Sequence, residues 1–490
     1  MALEKGSPAN DELRPTGDRR PAELEMGPPP KRTILLVASL ASFLSAFMGS
    51  SVNVALPTIG KEFATSAVAM GWITTAYLLA AAVGLVPFGR LADLHGRRRV
   101  FTLGFATYTV AAVACAFAPN NAALIAFRIV QGLGAAMVFS TSAALVSSAF
   151  PPAERGRALG WNVAAVYTGL SAGPFLGGIL TEQLGWRSLF LVNVPLGLVI
   201  LALVTWRIRS EWAEFRGARF DLPGSIVYGV GIVSLMVGFS SLPNALGYVL
   251  LLVGAAALVG FGIRQLRVES PLLDLRLFHG NRALLWSNVA ALVNYAATAA
   301  VGFLLSLYLQ VNRGLTPEGA GLVLVSQPIL QAAFSPLAGR LSDRVEPRFI
   351  ASVGMAMTTL GLALLTQLGP ETPLALLVVT LAWLGLSFAL FSSPNTNAVM
   401  SAVDTRFYGA AAGTLATMRA LGQIASMGIA MLLLSLYVGD AAITAENAPL
   451  FLSSARVGFA LFAGLCALGV LASFARGNLR RPQPGPAENG

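Results

Sequence analysis

Apolar runs of about twenty residues recur along the whole chain, near 33–57, 70–89, 100–118, 121–145, 159–182, 188–206, 222–241, 245–263, 283–310, 319–338, 349–367, 373–395, 408–437 and 455–475. A helix of that length crosses the roughly 30 Å hydrocarbon layer of a bilayer. Lipid offers the backbone no hydrogen-bond partners, so such a run spans as an α-helix. Charge is correspondingly scarce: 11% of residues are charged and 55% hydrophobic, against about a quarter charged in a soluble domain. The expected fold class is an all-α polytopic membrane protein of about 14 spans.

The first 32 residues are polar, proline-rich and mixed in charge, without the apolar core of a signal peptide, and read as a disordered cytosolic tail. Residues 476–490 read as a second cytosolic tail. Cys115 and Cys466 each lie inside an apolar run. Two separated thiols give neither a disulfide framework nor metal-ligand spacing, and read as packing residues. No metal or cofactor is expected.

A net charge of +10 could point to nucleic acid, but its distribution is topological. With the N-terminus inside, the Lys and Arg residues fall in cytosolic segments. The exceptions are Lys61, Arg187, Arg313 and Arg456 outside, and Arg128 and Arg419 within spans. This is the positive-inside pattern, with both termini cytosolic in a cell membrane of the cytoplasmic type. Nucleic acid is excluded as a partner; the bilayer is the partner.

The chain also repeats itself. Gly89, Arg90, Leu91 and Asp93 recur as Gly339, Arg340, Leu341 and Asp343, each 250 residues on. Gly132, Gly156, Gly160 and Gly169 recur as Gly385, Gly409, Gly413 and Gly422, each 253 residues on. The repeat divides the chain into a six-helix half at 33–206, a two-helix insert with flanking cytosolic segments at 207–282, and a second six-helix half at 283–475. Repeated six-helix halves are a transporter architecture, with a central site between them and alternating access by rocking. No nucleophile with a base, metal spacing or phosphate loop supports an enzyme.

Three motifs carry a resemblance. "GRLADLHGRRRV" places Gly89, Asp93, Gly96, Arg97 and Arg98 in a tight turn after the second span. "LIAFRIVQGLGAA" places Arg128, Gln131, Gly132 and Gly134 in the fourth span. "GLSAGPFLGG" places Gly169, Gly173, Pro174, Gly177 and Gly178 in the fifth, a face of small residues that permits close helix packing. Together with "SVNVALP", "GWRSLFLVNVPLG", "FDLPGS" and "SSPNTNAVM", the chain resembles the major facilitator superfamily and, within it, the fourteen-helix drug:proton antiporter branch. The resemblance implies two six-helix halves plus two extra central helices. It also implies export of lipophilic or amphipathic small molecules, driven by proton entry. Asp93, repeated at Asp343, would latch the cytosolic gate by meeting the N-terminus of the span that begins near Tyr408. A single chain is expected to work as a monomer.

One position departs from the pattern. The branch often carries an aspartate four positions before Val-Asn-Val in the first helix, where this chain has Met48. No carboxylate lies near the middle of a span, which leaves Glu182, Asp93 or a titratable substrate to carry the proton; the preferred candidate is Glu182, at the outer end of the fifth span, with a helix-rim residue as its alternative role. An arginine within a span is costly unless it finds partners or water, so Arg128 and Arg419 are either functional charges or braces bonded to carbonyls. If both face the cavity, it favours neutral or anionic substrates. Candidate lining residues are Asn53, Tyr77, Gln131, Asn162 and Tyr167 in the first half, and Asn294, Tyr295, Gln327, Gln331, Asn395, Asn397 and Gln423 in the second. Helix–helix bonding is the alternative role for each. At the level of function, three readings stand: a proton-coupled exporter, an uncoupled or differently coupled metabolite or organic-anion exporter, and a non-transporting sensor or scaffold.

Overall fold

The structure, a computed structural model, describes residues 30–213, 219–403, 407–439, 441, 443–444 and 446–477. The two expected tails lie outside these residues except at 30–32 and 476–477, and so does Asp404. Among the described residues, fourteen helices are long and apolar enough to span a membrane. The first half comprises α1 (Lys31–Phe63), α2 (Ala67–His95), α3 (Arg97–Ala116), α4 (Asn121–Ala149), α5 (Arg157–Leu184) and α6 (Arg187–Arg207). The insert is α7 (Leu222–Ser241) and α8 (Ala245–Arg267). The second half is α9 (Arg282–Asn312), α10 (Pro317–Arg344), α11 (Pro347–Leu365), α12 (Leu374–Ser401), α13 (Ala410–Tyr437) and α14 (Ala448–Ala475). The protein is a multi-pass membrane protein.

Helix starts follow local chemistry. Ser66, Asn120, Asp221, Asn281 and Thr316 each accept a first-turn amide N–H with the side chain, satisfying one of the donors that a helix N-terminus leaves open. The structure corrects one local expectation. The Gly89–Arg98 segment is not a turn throughout: α2 runs on through Asp93 to His95, and the chain reverses at Gly96 alone, at φ +119°. A side chain is strained at that φ.

The sequence repeat reappears as packing. Gly132 of α4 lies against the Tyr77 carbonyl of α2, and its counterpart Gly385 of α12 lies against the Gln327 carbonyl of α10. Gly169 of α5 meets the Phe43 carbonyl, and Gly422 of α13 meets the Leu292 carbonyl. In each case a methyl group would collide with the neighbouring backbone, so the same small residue sets the same crossing in both halves. The insert docks on one flank: Tyr228 of α7 is buried and donates to the Ala82 carbonyl of α2, at 3.2 Å. The outer face of α8 is largely exposed, with Leu252 72% accessible, as a lipid-facing helix is.

Candidate functional site

Contacts between the halves concentrate on the side of the membrane opposite the termini, the far side. Ser306 of α9 donates to the Asn53 carbonyl at 2.7 Å, and Gln310 Nε2 donates to the Val54 carbonyl at 2.9 Å. The fifth-helix motif explains the rest. Three of its glycines serve the first half: Gly169, Gly173 and Gly177 bring α5 onto α1 at Phe43, Ser50 and Ser51. The other two residues face across. A methyl on Gly178 would sit 2.5 Å from the Pro317 carbonyl oxygen of α10, and one on Gly321 of α10 would strike the Pro174 carbonyl. Glu182, one turn beyond Gly178, accepts the Glu318 N–H on Oε2 at 3.0 Å. A carboxylate there complements the positive end of α10. On the termini side, by contrast, Gly160 of α5 and its repeat partner Gly413 of α13 face open space. The halves are joined on the far side, and on the termini side Gly160 and Gly413 are left uncovered.

The two intramembrane arginines have different surroundings. Arg128 is fully buried inside the first half. Its Nε donates to the Ile73 carbonyl at 3.2 Å and its Nη1 to Gln131 Oε1 at 2.7 Å. Its guanidinium lies 4.1 Å from the Tyr77 ring centroid, a cation–π contact. Arg419, midway along α13, is half-buried. Its Nη2 donates to Thr396 Oγ1 at 2.6 Å, and its Nε is buried with no hydrogen-bond partner. Its guanidinium lies 5.6 Å from the Tyr295 ring, which meets Phe388 edge-on at 5.3 Å. Tyr167 of α5 reaches the same face of α12, its hydroxyl 3.3 Å from Ser392 Oγ across the boundary between halves.

The other predicted residues divide into three groups. Asn53 accepts from Thr74 at 3.0 Å, Asn162 donates to Ser42 at 3.1 Å, and Tyr77 donates to the Ser45 carbonyl at 3.4 Å, all within the first half. Asn397 donates to Ser342 at 2.8 Å and Asp343 at 3.2 Å, near the termini side rather than mid-membrane. Gln327 and Gln423 are half-buried and make no hydrogen bond among the described residues. Asn294 is fully buried with neither amide atom bonded, Asn395 has an unbonded Oδ1, and Gln331 is buried. Sequence reasoning missed Ser306, Gln310, Ser392, Thr396 and Phe388. Of these, Ser392 and Thr396 lie inside "SSPNTNAVM", a stretch already marked by its amides.

In the first motif, Asp93 Oδ1 is held by Arg97 Nε at 3.0 Å and Nη2 at 2.9 Å, and Arg97 Nη1 donates to Ser148 of α4 at 2.7 Å. The motif thereby ties α2, α3 and α4 together on the termini side. Arg98 contributes its backbone N–H, donated to Glu211 Oε1 at 2.9 Å. Burial raises the Glu211 carboxyl above its ordinary range, opposed by that N–H and by the Arg98 and Arg99 charges. The position expected to carry a carboxylate, Met48, is fully buried in the apolar core with Val52 and Leu56. No cluster of metal-ligating side chains occurs among the described residues.

Two pseudo-symmetric six-helix halves that meet on the far side are the architecture of a membrane transporter. A family model described as Major Facilitator Superfamily matches residues 38–264 and 288–490. The chain belongs to the Major Facilitator Superfamily. It is 32% identical over 394 residues to riboflavin transporter RibZ of Clostridioides difficile, covering 80% of this chain and 85% of that one. It is 35% identical over 407 residues to multidrug resistance protein Stp of Mycobacterium tuberculosis, covering 81% and 74%. With the cephamycin export protein CmcT of Amycolatopsis lactamdurans it shares 32% identity over 466 residues, covering 92% and 94%. Among solved structures, a bacterial homolog of the human lysosomal transporter Spinster, described as inward-facing and unoccupied, superposes with a TM-score of 0.68. That match covers 91% of this chain and 96% of that one at 14% identity, a likeness of fold.

Proposed function

We propose that the protein is a secondary active exporter of small amphipathic compounds, working by alternating access in the cytoplasmic membrane with both termini cytosolic. The observation that carries this reading is the α5–α10 crossing. Two residues of the fifth-helix motif, Pro174 and Gly178, are the ones that close the far side against Pro317 and Gly321. A transporter resting closed outward and open inward is poised to collect its cargo from the cytosol. Relatives named for multidrug resistance and cephamycin export support the direction. The basic residues of the termini side support the orientation.

Coupling is the finer question. Met48, apolar and buried, removes the acid that the resemblance supplies to the first helix, which favours an uncoupled or differently coupled exporter as the second reading; the relative named a riboflavin transporter is compatible with metabolite cargo. For proton coupling, the preferred candidate, ahead of Asp93 or a titratable substrate, is Glu182, whose protonation weakens the cap on α10 and with it the far-side closure. The test is flux in proteoliposomes under an imposed pH gradient, followed with cationic, neutral and anionic dyes. Gradient-dependent flux is the expected result for a coupled exporter. Flux indifferent to the gradient selects the uncoupled reading, and no flux for any dye refutes export of amphipathic compounds.

A further inference from the structure

Of the two arginines inside the membrane, Arg419 is the one beside the boundary between the halves. Arg128 is enclosed by its own half, where it meets a carbonyl, an amide and an aromatic face and keeps Nη2 buried without a hydrogen bond, out of reach of the boundary. Arg419 has one nitrogen held by Thr396 and another buried without a partner. No ion pair among the described residues reaches it; Asp93, Glu154, Glu62, Glu211 and Asp221, which do form such pairs, lie at helix ends or in connections. An uncompensated guanidinium in a partly dry site carries a desolvation cost that an incoming anion offsets.

Its neighbours specify more than charge. Gln423 lies one helical turn further along α13, on the same face, and makes no side-chain hydrogen bond among the described residues. Arginine and amide together form a donor pair suited to a carboxylate or similar acidic group. The Tyr295–Phe388 pair offers an aromatic wall beside the guanidinium. The Tyr167–Ser392 contact puts the site at the boundary between halves, where a bound molecule touches both and its occupancy is felt by the rocking motion.

We propose that the transported compound is an aromatic organic anion, its acidic group docked on Arg419 and Gln423 and its ring against Tyr295 and Phe388. This rests on the reading of the protein as a transporter. Three fluorescent probes with one ring system and different charge test it: anthracene-9-carboxylate, anthracene-9-carboxamide and 9-(aminomethyl)anthracene. Binding is read by anisotropy to the full-length protein in lipid nanodiscs, with empty nanodiscs subtracted. The carboxylate is expected to bind about tenfold more tightly than the amide, and the amine most weakly, as a charge-assisted contact in a desolvated site implies. Arg419→Gln is expected to bring the carboxylate to within about threefold of the amide, with amide binding unchanged. Arg419→Lys retains part of the preference. Amine binding equal to or tighter than the carboxylate overturns the proposal, as does a carboxylate preference that survives Arg419→Gln. Should Arg419→Gln not fold, Thr396→Val, which removes the hydrogen bond that Thr396 accepts from the guanidinium, is expected to weaken the carboxylate and spare the amide; loss of both alike overturns the proposal. Flux of the same probes separates the two levels. Charge-selective binding without flux leaves the site and refutes transport, whereas flux without charge selection by Arg419 leaves transport and refutes the site.

Discussion

The closest test of the gating argument is a single methyl group. At Gly321 an added Cβ collides with the Pro174 carbonyl oxygen and lies 3.0 Å from the carbonyl carbon behind it. At Gly178 it lies 2.5 Å from the Pro317 oxygen and 3.0 Å from Glu318 Cα. All of these are backbone atoms, so no side chain can swing aside. The collision exists only while α5 and α10 touch, which makes it a differential cost on the far-side-closed state. Overpacking of this kind costs about 1–3 kcal/mol. At about 1.4 kcal/mol per tenfold, Gly321→Ala should raise the far-side-open population about 5- to 150-fold. The native thiols Cys115 and Cys466 are both buried; replacing them gives a background in which Ser306→Cys reports the far-side seal. The readout is its labelling rate with a membrane-impermeant maleimide applied from the far side. Gly160→Ala is the control, since a methyl there meets nothing within 4 Å. A labelling rate unchanged by both Gly321→Ala and Gly178→Ala would falsify the seal. A fall in thermal stability without faster labelling would assign the glycines to assembly instead of gating.

Two further predictions use carboxylates. Glu182→Gln keeps an oxygen for the Glu318 N–H but loses the charge at the α10 N-terminus, so Ser306→Cys labelling should rise about two- to fivefold. That is less than for Gly321→Ala, and an unchanged rate would remove Glu182 from the gate. Glu211 gives a pH test on the termini side. Its folded pKa is raised by burial, so the unfolded chain loses this proton first and stability falls as pH rises from the ordinary glutamate range through the folded pKa. Glu211→Gln removes that loss while its amide oxygen still accepts the Arg98 N–H. Its melting temperature at pH 7 should therefore equal or exceed the wild type, with the gap closing in acid; a lower value at pH 7 would show that the Arg98 and Arg99 charges outweigh burial.

Spans were legible in the sequence because lipid imposes one rule on every residue: twenty apolar positions and a closed hydrogen-bond ladder. Part of the repeat was legible because glycines such as Gly132 and Gly385, or Gly169 and Gly422, are fixed by backbone collisions. Side-chain roles were less so. A buried amide reads the same whether it bonds a neighbouring helix, like Asn162 to Ser42, or stands unbonded, like Asn294. Likewise, an arginine's position in a span does not reveal whether its guanidinium turns inward, as Arg128 does, or toward the boundary, as Arg419 does. The "MGSS" stretch shows the same limit. Ser50 and Ser51 look like a polar patch, yet they are also the small surface on which Gly173 and Gly177 of α5 rest.

Beside the α1–α9 contacts, two crossings of the far-side seal differ in kind. Pseudo-symmetry maps the α5–α10 contact of Gly178 with Pro317 and Gly321 onto an α13–α2 contact of Met431 with Ala67 and Gly71. In the second, a methyl on Gly71 would lie 3.0 Å from Met431 Cγ, and Thr75 donates its hydroxyl to the Met431 sulfur at 3.5 Å. A methionine side chain can change rotamer and stay in contact while the helices slide. Backbone against backbone cannot; that contact is either made or lost, which is the bistable behaviour a gate needs. The insert reinforces the difference, because α7 packs on the yielding crossing, with Tyr228 on Ala82 and Phe239 beside Gly428 of α13. Under the proposed alternating access, the α2–α13 side is expected to be the flank about which the halves rock, and the α5–α10 side the one that opens. Substitutions of Met431 by other flexible apolar residues should accordingly be tolerated far better than the addition of one methyl at Gly178.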